Sequence, residues 1–365
     1  MRVVLKECAW EPLGDDLVVI YDPREALTLA DPDGRIAALL TELSAGPRTA
    51  AELAAALAAR GLEASEADVA EGLAGLDSLG LLEEAGERDL GDPVADERHF
   101  STLTFFGSFA GLGRSRAGYV RRLRESHVLV LGAGGAGSSI VQCLAGLGVG
   151  AMTLVDRDDV APRNFARQFL YRHQDIGRSK VDRAAEWVRE YDPTIEVRAV
   201  DRWIAGPEDL KDLTADVDLI AGGLDGEPEA HLWVNEAALR AGVPLVSGGM
   251  QRTQLMYCSV DPGRSPCLLC DESDRPDPGE PTSAGVAQRL TRGLRLNNAL
   301  IGPIAMQMGS LIAYEALRYL TGFEPPRAAG ARVMLDLRTG LVPVWEPFPR
   351  DPECPACALA PVRPV

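Results

Sequence analysis

Beyond residue 127 the chain repeats one rhythm: a short apolar run, a turn rich in glycine or aspartate, then a stretch with apolar side chains every three or four positions. Residues 128–131, 151–155, 195–200, 217–221 and 245–247 read as strands, and 138–147, 183–191 and 232–241 as the helices between them. Strands that are apolar throughout and alternate with helices are covered on both faces, so the pattern predicts an α/β, doubly wound, mostly parallel Rossmann-like sheet. Residues 254–260 are expected to turn antiparallel, and 332–337 with 341–345 to add a late hairpin. The stretch 299–320 is apolar nearly all round and reads as a helix broken near Pro303, suited to a core or a subunit interface. Before it, residues 271–297 are dense in Pro, Gly, Asp and Arg and read as a long crossover or lid.

The first 86 residues follow a different pattern. Residues 17–21 read as a strand, and 36–43 as a short helix. Thr49 with Glu52 and Ser65 with Asp68 each make a capping box, opening helices that run to about Arg60 and through Leu79. After Gly80, residues 81–84 could form a wing, so 1–86 is expected to be a small winged-helix unit. A polar linker with Gly and Pro (87–97) leads to a large domain over 98–365. A winged helix invites a DNA-binding reading, yet residues 1–86 carry six Lys and Arg against seventeen Asp and Glu, and the whole chain has a net charge of −17. Such a surface repels phosphate, so no nucleic-acid partner is expected. No apolar run has the length of a membrane helix and the start is acidic, which predicts a soluble cytoplasmic protein with no membrane partner.

The candidate chemistry begins at the end of the first strand of the large domain. Gly132, Gly134, Gly135 and Gly137 follow residues 128–131 and precede a helix; such a turn lets backbone N–H groups approach a phosphate at the helix N-terminus. Asp156, at the end of the next strand, stands where a carboxylate accepts ribose hydroxyls. A dehydrogenase would look the same over these thirty or so residues. Two further blocks, Asn164-Phe-Ala-Arg167-Gln168 and Asp175-Ile-Gly-Arg-Ser-Lys180, bring cations toward the phosphate end, and Lys180 is one of only three lysines (with Lys6 and Lys211). Nucleotidyl transfer needs such cations, because charge builds on phosphate oxygens and departing pyrophosphate.

Seven cysteines include two Cys-x-x-Cys pairs, Cys267/Cys270 and Cys354/Cys357, which read together as one tetrahedral Zn2+ site joining distant segments. Cys258 falls within a strand, where burial is its expected fate, and the crossover 271–297 contains no cysteine. His99, His127, His173 and His231 show no ligand spacing.

Taken in order, the glycine loop, Asp156, the Asn-x-x-Arg-Gln block, Asp-Ile-Gly-x-x-Lys and the paired cysteines make residues 98–357 resemble the ubiquitin-activating-enzyme-like superfamily of ThiF, MoeB, HesA and MccB. The resemblance implies binding of ATP with Mg2+ and adenylation of the C-terminal carboxylate of a peptide or small ubiquitin-like carrier protein. It places Gly135 under the phosphates, Asp156 at the ribose, and Arg163, Asn164, Arg167 and Gln168 along the triphosphate. Lys180 becomes a phosphate contact and Asp225 the aspartate that positions magnesium, so Asp225, Arg167 and Lys180 are the expected catalytic residues. A homodimer is implied as well, and no thioester-forming cysteine is expected. Members commonly carry a second arginine reaching the partner subunit's ATP; here Ser101 stands in its place, and Arg114, Arg116, Arg121 and Arg122 are the candidates to replace it. Residues 1–86 resemble PqqD-like peptide-recognition domains, which points to ribosomal-peptide natural-product biosynthesis. Two other outcomes stay open: a non-catalytic leader-peptide partner of a separate cyclodehydratase, and a sulfur-carrier-protein adenylyltransferase.

Overall fold

Val128 and Val130 pack into one hydrophobic cluster while Leu129 and Leu131 pack into another, so the central strand faces a core on each side. That strand, β6 (His127–Leu131), belongs to an eight-stranded sheet in a computed structural model that describes residues 1–361 apart from 225, 226, 228, 276, 278 and 294–299; of 291–293 only the backbone is described. The other strands are β7 (Ala151–Asp156), β8 (Glu196–Asp201), β9 (Leu219–Gly222), β10 (Leu245–Gln251), β11 (Gln254–Val260), β12 (Ala331–Asp336) and β13 (Val344–Pro347). Their order is β13-β12-β11-β10-β9-β6-β7-β8. The five strands from β8 to β10 are parallel, and β10 to β13 are paired antiparallel, as the sequence pattern anticipates.

The chain divides into two compact units, 1–121 and 122–365. In the second, helices α7 (Gly135–Leu147), α8 (Lys180–Tyr191) and α12 (Gly302–Thr321) cover one face of the sheet, and α9 (Ala230–Ala241) and α10 (Leu268–Ser273) cover the other. Pro303 does not break α12. It sits in the first turn, where its missing N–H has no acceptor to lose. Ile304, Met308, Ile312 and Ala316 of α12 join the core, and a Cβ on Gly309 would lie 2.4 Å from the Ser139 Cβ, so the glycine lets α12 approach α7 closely. Glu315 is fully buried without being orphaned: it accepts from Ser259 Oγ (3.0 Å) and the Ala328 N–H (2.8 Å) and pairs with Arg318 (2.8 Å). Within 271–297 the described backbone includes helix α11 (Ser283–Gly293). Among the described residues no helix is long and apolar enough to cross a membrane.

The first unit opens with β1 (Val3–Leu5) and a three-stranded antiparallel meander, β2 (Ala9–Leu13), β3 (Asp16–Asp22) and β4 (Glu25–Ala30). Helices α1 (Arg35–Ser44), α2 (Ala50–Ala59) and α3 (Glu66–Ser78) follow, the last two with both capping boxes formed. Strand β5 (Leu82–Glu84) falls where the sequence suggests a wing, and it pairs antiparallel with β1 at the start of the chain. Leu17, Val19, Leu40, Leu43, Leu53, Leu57 and Leu73 fill the unit's core. Residues 87–97 are not a bare linker: Asp92 caps and Pro93 starts helix α4 (Pro93–Arg98), and α5 (Phe100–Gly107) follows. The division between the units falls inside α6 (Arg116–Glu125). Strands β2 and β4 escape the sequence pattern because most of their side chains are exposed.

Candidate active site

The first βα turn of the second unit is built so that no side chain intrudes. Gly132 has φ of 81°, and a Cβ on Gly137 would sit 1.7 Å from the Gly132 carbonyl oxygen. Gly222, at the end of β9, has φ of 97° and the Leu131 carbonyl oxygen 2.5 Å from where a Cβ would be. Strand β6 lies between β7 and β9, so its loop opens at the point where the strand order reverses, the place where open α/β sheets bind ligands. Helix α7 starts at Gly135 with Gly134 as its cap and no side-chain cap, leaving N–H groups directed into the cleft.

Asp156 joins the two halves of this cradle. Its Oδ2 accepts from the Ala133 N–H at 2.7 Å and its Oδ1 from the Asp158 N–H at 2.8 Å, which leaves each oxygen a lone pair for a ligand hydroxyl. Tyr171, which the sequence pattern did not single out, pins the same loop from behind: its buried hydroxyl donates to the Ala133 carbonyl at 2.6 Å. Burial, with Asp156 adding, holds that hydroxyl well above its ordinary pKa and so keeps it a donor.

The cations come from two turns. Buried Asn164 accepts from the Ala161 N–H at 2.8 Å, closing the 3-10 turn that carries Arg163, and Arg167 Nη1 donates to the Arg163 carbonyl at 3.3 Å. The Arg167 stem runs past Gly135. Gln168 is buried, and its Oε1 has no hydrogen-bond partner among the described residues. Asp175, also buried, accepts from the Arg172 N–H (2.7 Å) and lies 2.8 Å from Arg183 Nε, fixing the loop that leads to Lys180. Lys180 opens α8, is buried, and extends its Nζ to 2.7 Å from Asp158 Oδ2. A cleft of about 560 Å³ brings together Gly132, Gly134, Gly135, Gly137, Asp156, Arg163, Asn164, Arg167, Gln168 and Lys180. Asp225 lies outside the described residues. Arg157, Trp203 and His231 also line the cleft, and no spacing in the sequence marks them.

Of the candidates to replace the second arginine, three are engaged within their own units. Arg116 pairs with Glu83 through Nε at 2.8 Å, Arg121 with Glu87 at 2.7 Å, and Arg122 donates to the Thr321 carbonyl at 2.5 Å.

The four paired cysteines converge. Their Sγ atoms all lie within 4.8 Å of one another, with Cys267–Cys270, Cys267–Cys354 and Cys270–Cys357 at 3.9, 3.7 and 3.5 Å. Four thiolates around one ion at a metal–sulfur distance of about 2.3 Å would be about 3.8 Å apart, so the set fits a tetrahedral metal. The cluster could therefore hold a metal ion. Cys258 is buried, and burial, with Asp271 adding, pushes its thiol up to about 12, unlike a nucleophile. If the chain carries out the adenylation that the sequence resemblance implies, Cys258→Ala is expected to leave adenylate formation and product yield unchanged; a variant that forms adenylate but no product would show a thioester step through Cys258.

A model of the ThiF family matches residues 109–356. The chain belongs to the ThiF family. Among curated relatives it is 32% identical over 247 residues to the adenylyltransferase and sulfurtransferase uba4 of Aspergillus niger, covering 65% of this chain and 48% of the relative. It is 28% identical over 236 residues to the SAMP-activating enzyme E1 of Haloferax volcanii, covering 65% of this chain and 82% of that one. This ThiF-family chain thus spans about half the length of the Aspergillus relative. Among solved structures, Escherichia coli MccB with AMPCPP and MccA superposes with a TM-score of 0.75 at 18% identity, covering 98% of this chain and 100% of the other. At that identity the likeness establishes the fold, and it extends over the N-terminal residues that the ThiF match leaves out.

Proposed function

We propose that this protein uses ATP to adenylate the C-terminal carboxylate of a peptide, with the first compact unit holding that peptide. The observation that supports the reading is that Arg163, Arg167 and Lys180 line one cleft with the glycine-built N-terminus of α7. The carboxylate attacks the α-phosphorus, the bond to the bridging oxygen breaks, and pyrophosphate leaves with the electron pair. This in-line displacement uses no protein nucleophile; it needs positioning and fixed positive charge. Asp156 orients the ribose, Gln168 and the α7 N–H groups orient the phosphates, and Lys180 exchanges its partner Asp158 for a phosphate oxygen. Magnesium bound with ATP would screen the phosphates, and Asp225 is the residue that the resemblance assigns to it. The ion held by the four cysteines is zinc in this reading, a structural closed site.

The choice of a peptide is supported by the extent of the likeness to MccB, whose structure holds MccA and which matches 98% of this chain, N-terminal unit included. A PqqD-like role for that unit, receiving the peptide as an added strand, is consistent with its open meander, where β2 and β4 are edge strands with mostly exposed side chains. A homodimer through the exposed Met306 and Tyr314 of α12 belongs to the same proposal. A second reading, activation of a small ubiquitin-like sulfur carrier, is favoured by the names of the Aspergillus and Haloferax relatives.

The test is a melting curve with magnesium ATP, with NAD and with neither. Ligand at about 100 times its Kd adds roughly 2.7 kcal/mol, a rise of several degrees for a protein of this size. A rise with ATP alone is expected, and pyrophosphate release with short peptides against a ubiquitin-like carrier then separates the two readings. Silence toward ATP would leave a leader-presenting scaffold, and a response to NAD alone would sink the adenylation mechanism.

A further inference from the structure

The cleft extends beyond Asp156 to a pair of side chains that the adenylation mechanism leaves unused. The Arg157 guanidinium carbon lies 3.7 Å from the centroid of the Trp203 ring, both residues line the cleft, and Trp203 is still 42% exposed. We propose that this Arg157–Trp203 stack is the platform against which the base of the bound nucleotide packs, an inference that rests on the ATP reading of the site.

The order of the strands supplies the direction. In the proposed nucleotide site, phosphates at the N-terminus of α7 would stand over β6, and a ribose at Asp156 would stand at the end of β7. The next strand outward is β8, paired in parallel register with Asp156 opposite Asp201, so a base continuing away from the phosphates reaches the residues that follow Asp201. Those residues are held in place. The Arg202 N–H donates to the Asp156 carbonyl at 3.4 Å, and the Arg202 guanidinium is clamped by Asp212 (2.6 and 3.0 Å) and the Asp209 carbonyl (2.9 Å). Trp203 is therefore presented from a fixed turn, one residue beyond a hydrogen bond to the ribose aspartate. Ile204, buried next in sequence, lines the same end of the cleft. A guanidinium over an indole face offers a flat, polarised surface, and a purine stacks on such surfaces through its own π-face.

The experiment compares wild type, Trp203→Ala and Trp203→Phe by calorimetric titration with magnesium ATP and with magnesium tripolyphosphate, which has the anionic chain and no base. Wild type is expected to bind ATP more tightly than tripolyphosphate. Trp203→Ala should weaken ATP by about tenfold or more while leaving tripolyphosphate unchanged, and Trp203→Phe should restore most of the loss. Wild-type affinity for ATP in Trp203→Ala overturns the platform and leaves the nucleotide reading standing. Equal weakening of both probes overturns it too, because the damage would then lie in the phosphate cradle. Failure of wild type to bind ATP removes the nucleotide reading and this inference with it.

Discussion

Lys180→Ala is expected to lower ATP–pyrophosphate exchange by about 10²–10³-fold, the effect of removing one preorganised charge from a developing oxyanion, with little change in melting temperature. The asymmetry follows from the partners. Lys180 is buried at the start of α8, whereas the Asp158 carboxylate it meets at 2.7 Å has a side chain 62% exposed. When the ammonium is removed, that carboxylate stays hydrated, so folding loses an ion pair of about 1 kcal/mol and the packing of the lysine stem, offset by no longer having to bury an ammonium. The proposed reaction would lose a cation from the place where pyrophosphate departs, and water could not replace it without reorganising. Exchange measured with a peptide that elicits pyrophosphate release, beside a melting curve, separates the two effects. Wild-type exchange in Lys180→Ala would falsify the assignment of Lys180 to the phosphates, and a collapse in melting temperature would show that its role is to hold α8 in place.

Removing the metal that the cysteine cluster fits should cost far more stability. Cys270 and Cys357 are 87 residues apart in sequence, and the cluster ties the start of α10 to the C-terminal segment. Structural zinc sites contribute on the order of 10 kcal/mol in small domains, where binding and folding are one event. Here the thiols sit against a large hydrophobic core, so a smaller share is expected: a fall in Tm of roughly 10 °C, corresponding to about 3–5 kcal/mol in a unit of this size. Cys354→Ser and exhaustive chelation should produce the same fall, and elemental analysis should find one zinc per chain in the wild type and none in the variant. A wild-type protein free of metal whose Tm is unmoved by either treatment would show that the thiols pack merely as buried side chains.

How much of this was legible beforehand depended on the range of the interactions involved. The strands of the parallel half were readable because each is buried on both faces and therefore apolar throughout, as β6 shows by alternating Val128 and Val130 with Leu129 and Leu131 between two cores. The glycine loop was readable because backbone geometry excludes any other residue: the Gly132 carbonyl oxygen fills the space of a Gly137 side chain. Helices α2 and α3 were readable from capping boxes that act over three residues. Where neighbours far along the chain decide, local pattern was silent or misleading. Pro303 read as a break within the 299–320 stretch, but α12 simply begins there and packs on α7.

The sequence by itself therefore determined the alternation of strands and helices, the position of the glycine turn, the cation blocks and the four metal-fitting thiols, each set by spacing or by the conformational demands of single residues. Tertiary structure alone decided that Lys180 rests on Asp158, that Tyr171 pins Ala133, and that Arg157 stacks on Trp203. It also brought two cysteine pairs to within 4.8 Å across the fold. The contacts around the cleft join residues that no periodicity relates; they exist because parallel strands deliver their C-terminal ends, and the side chains that follow them, to one edge of the sheet, whereas the cysteine cluster is built on the segment after β11, which runs antiparallel to β10.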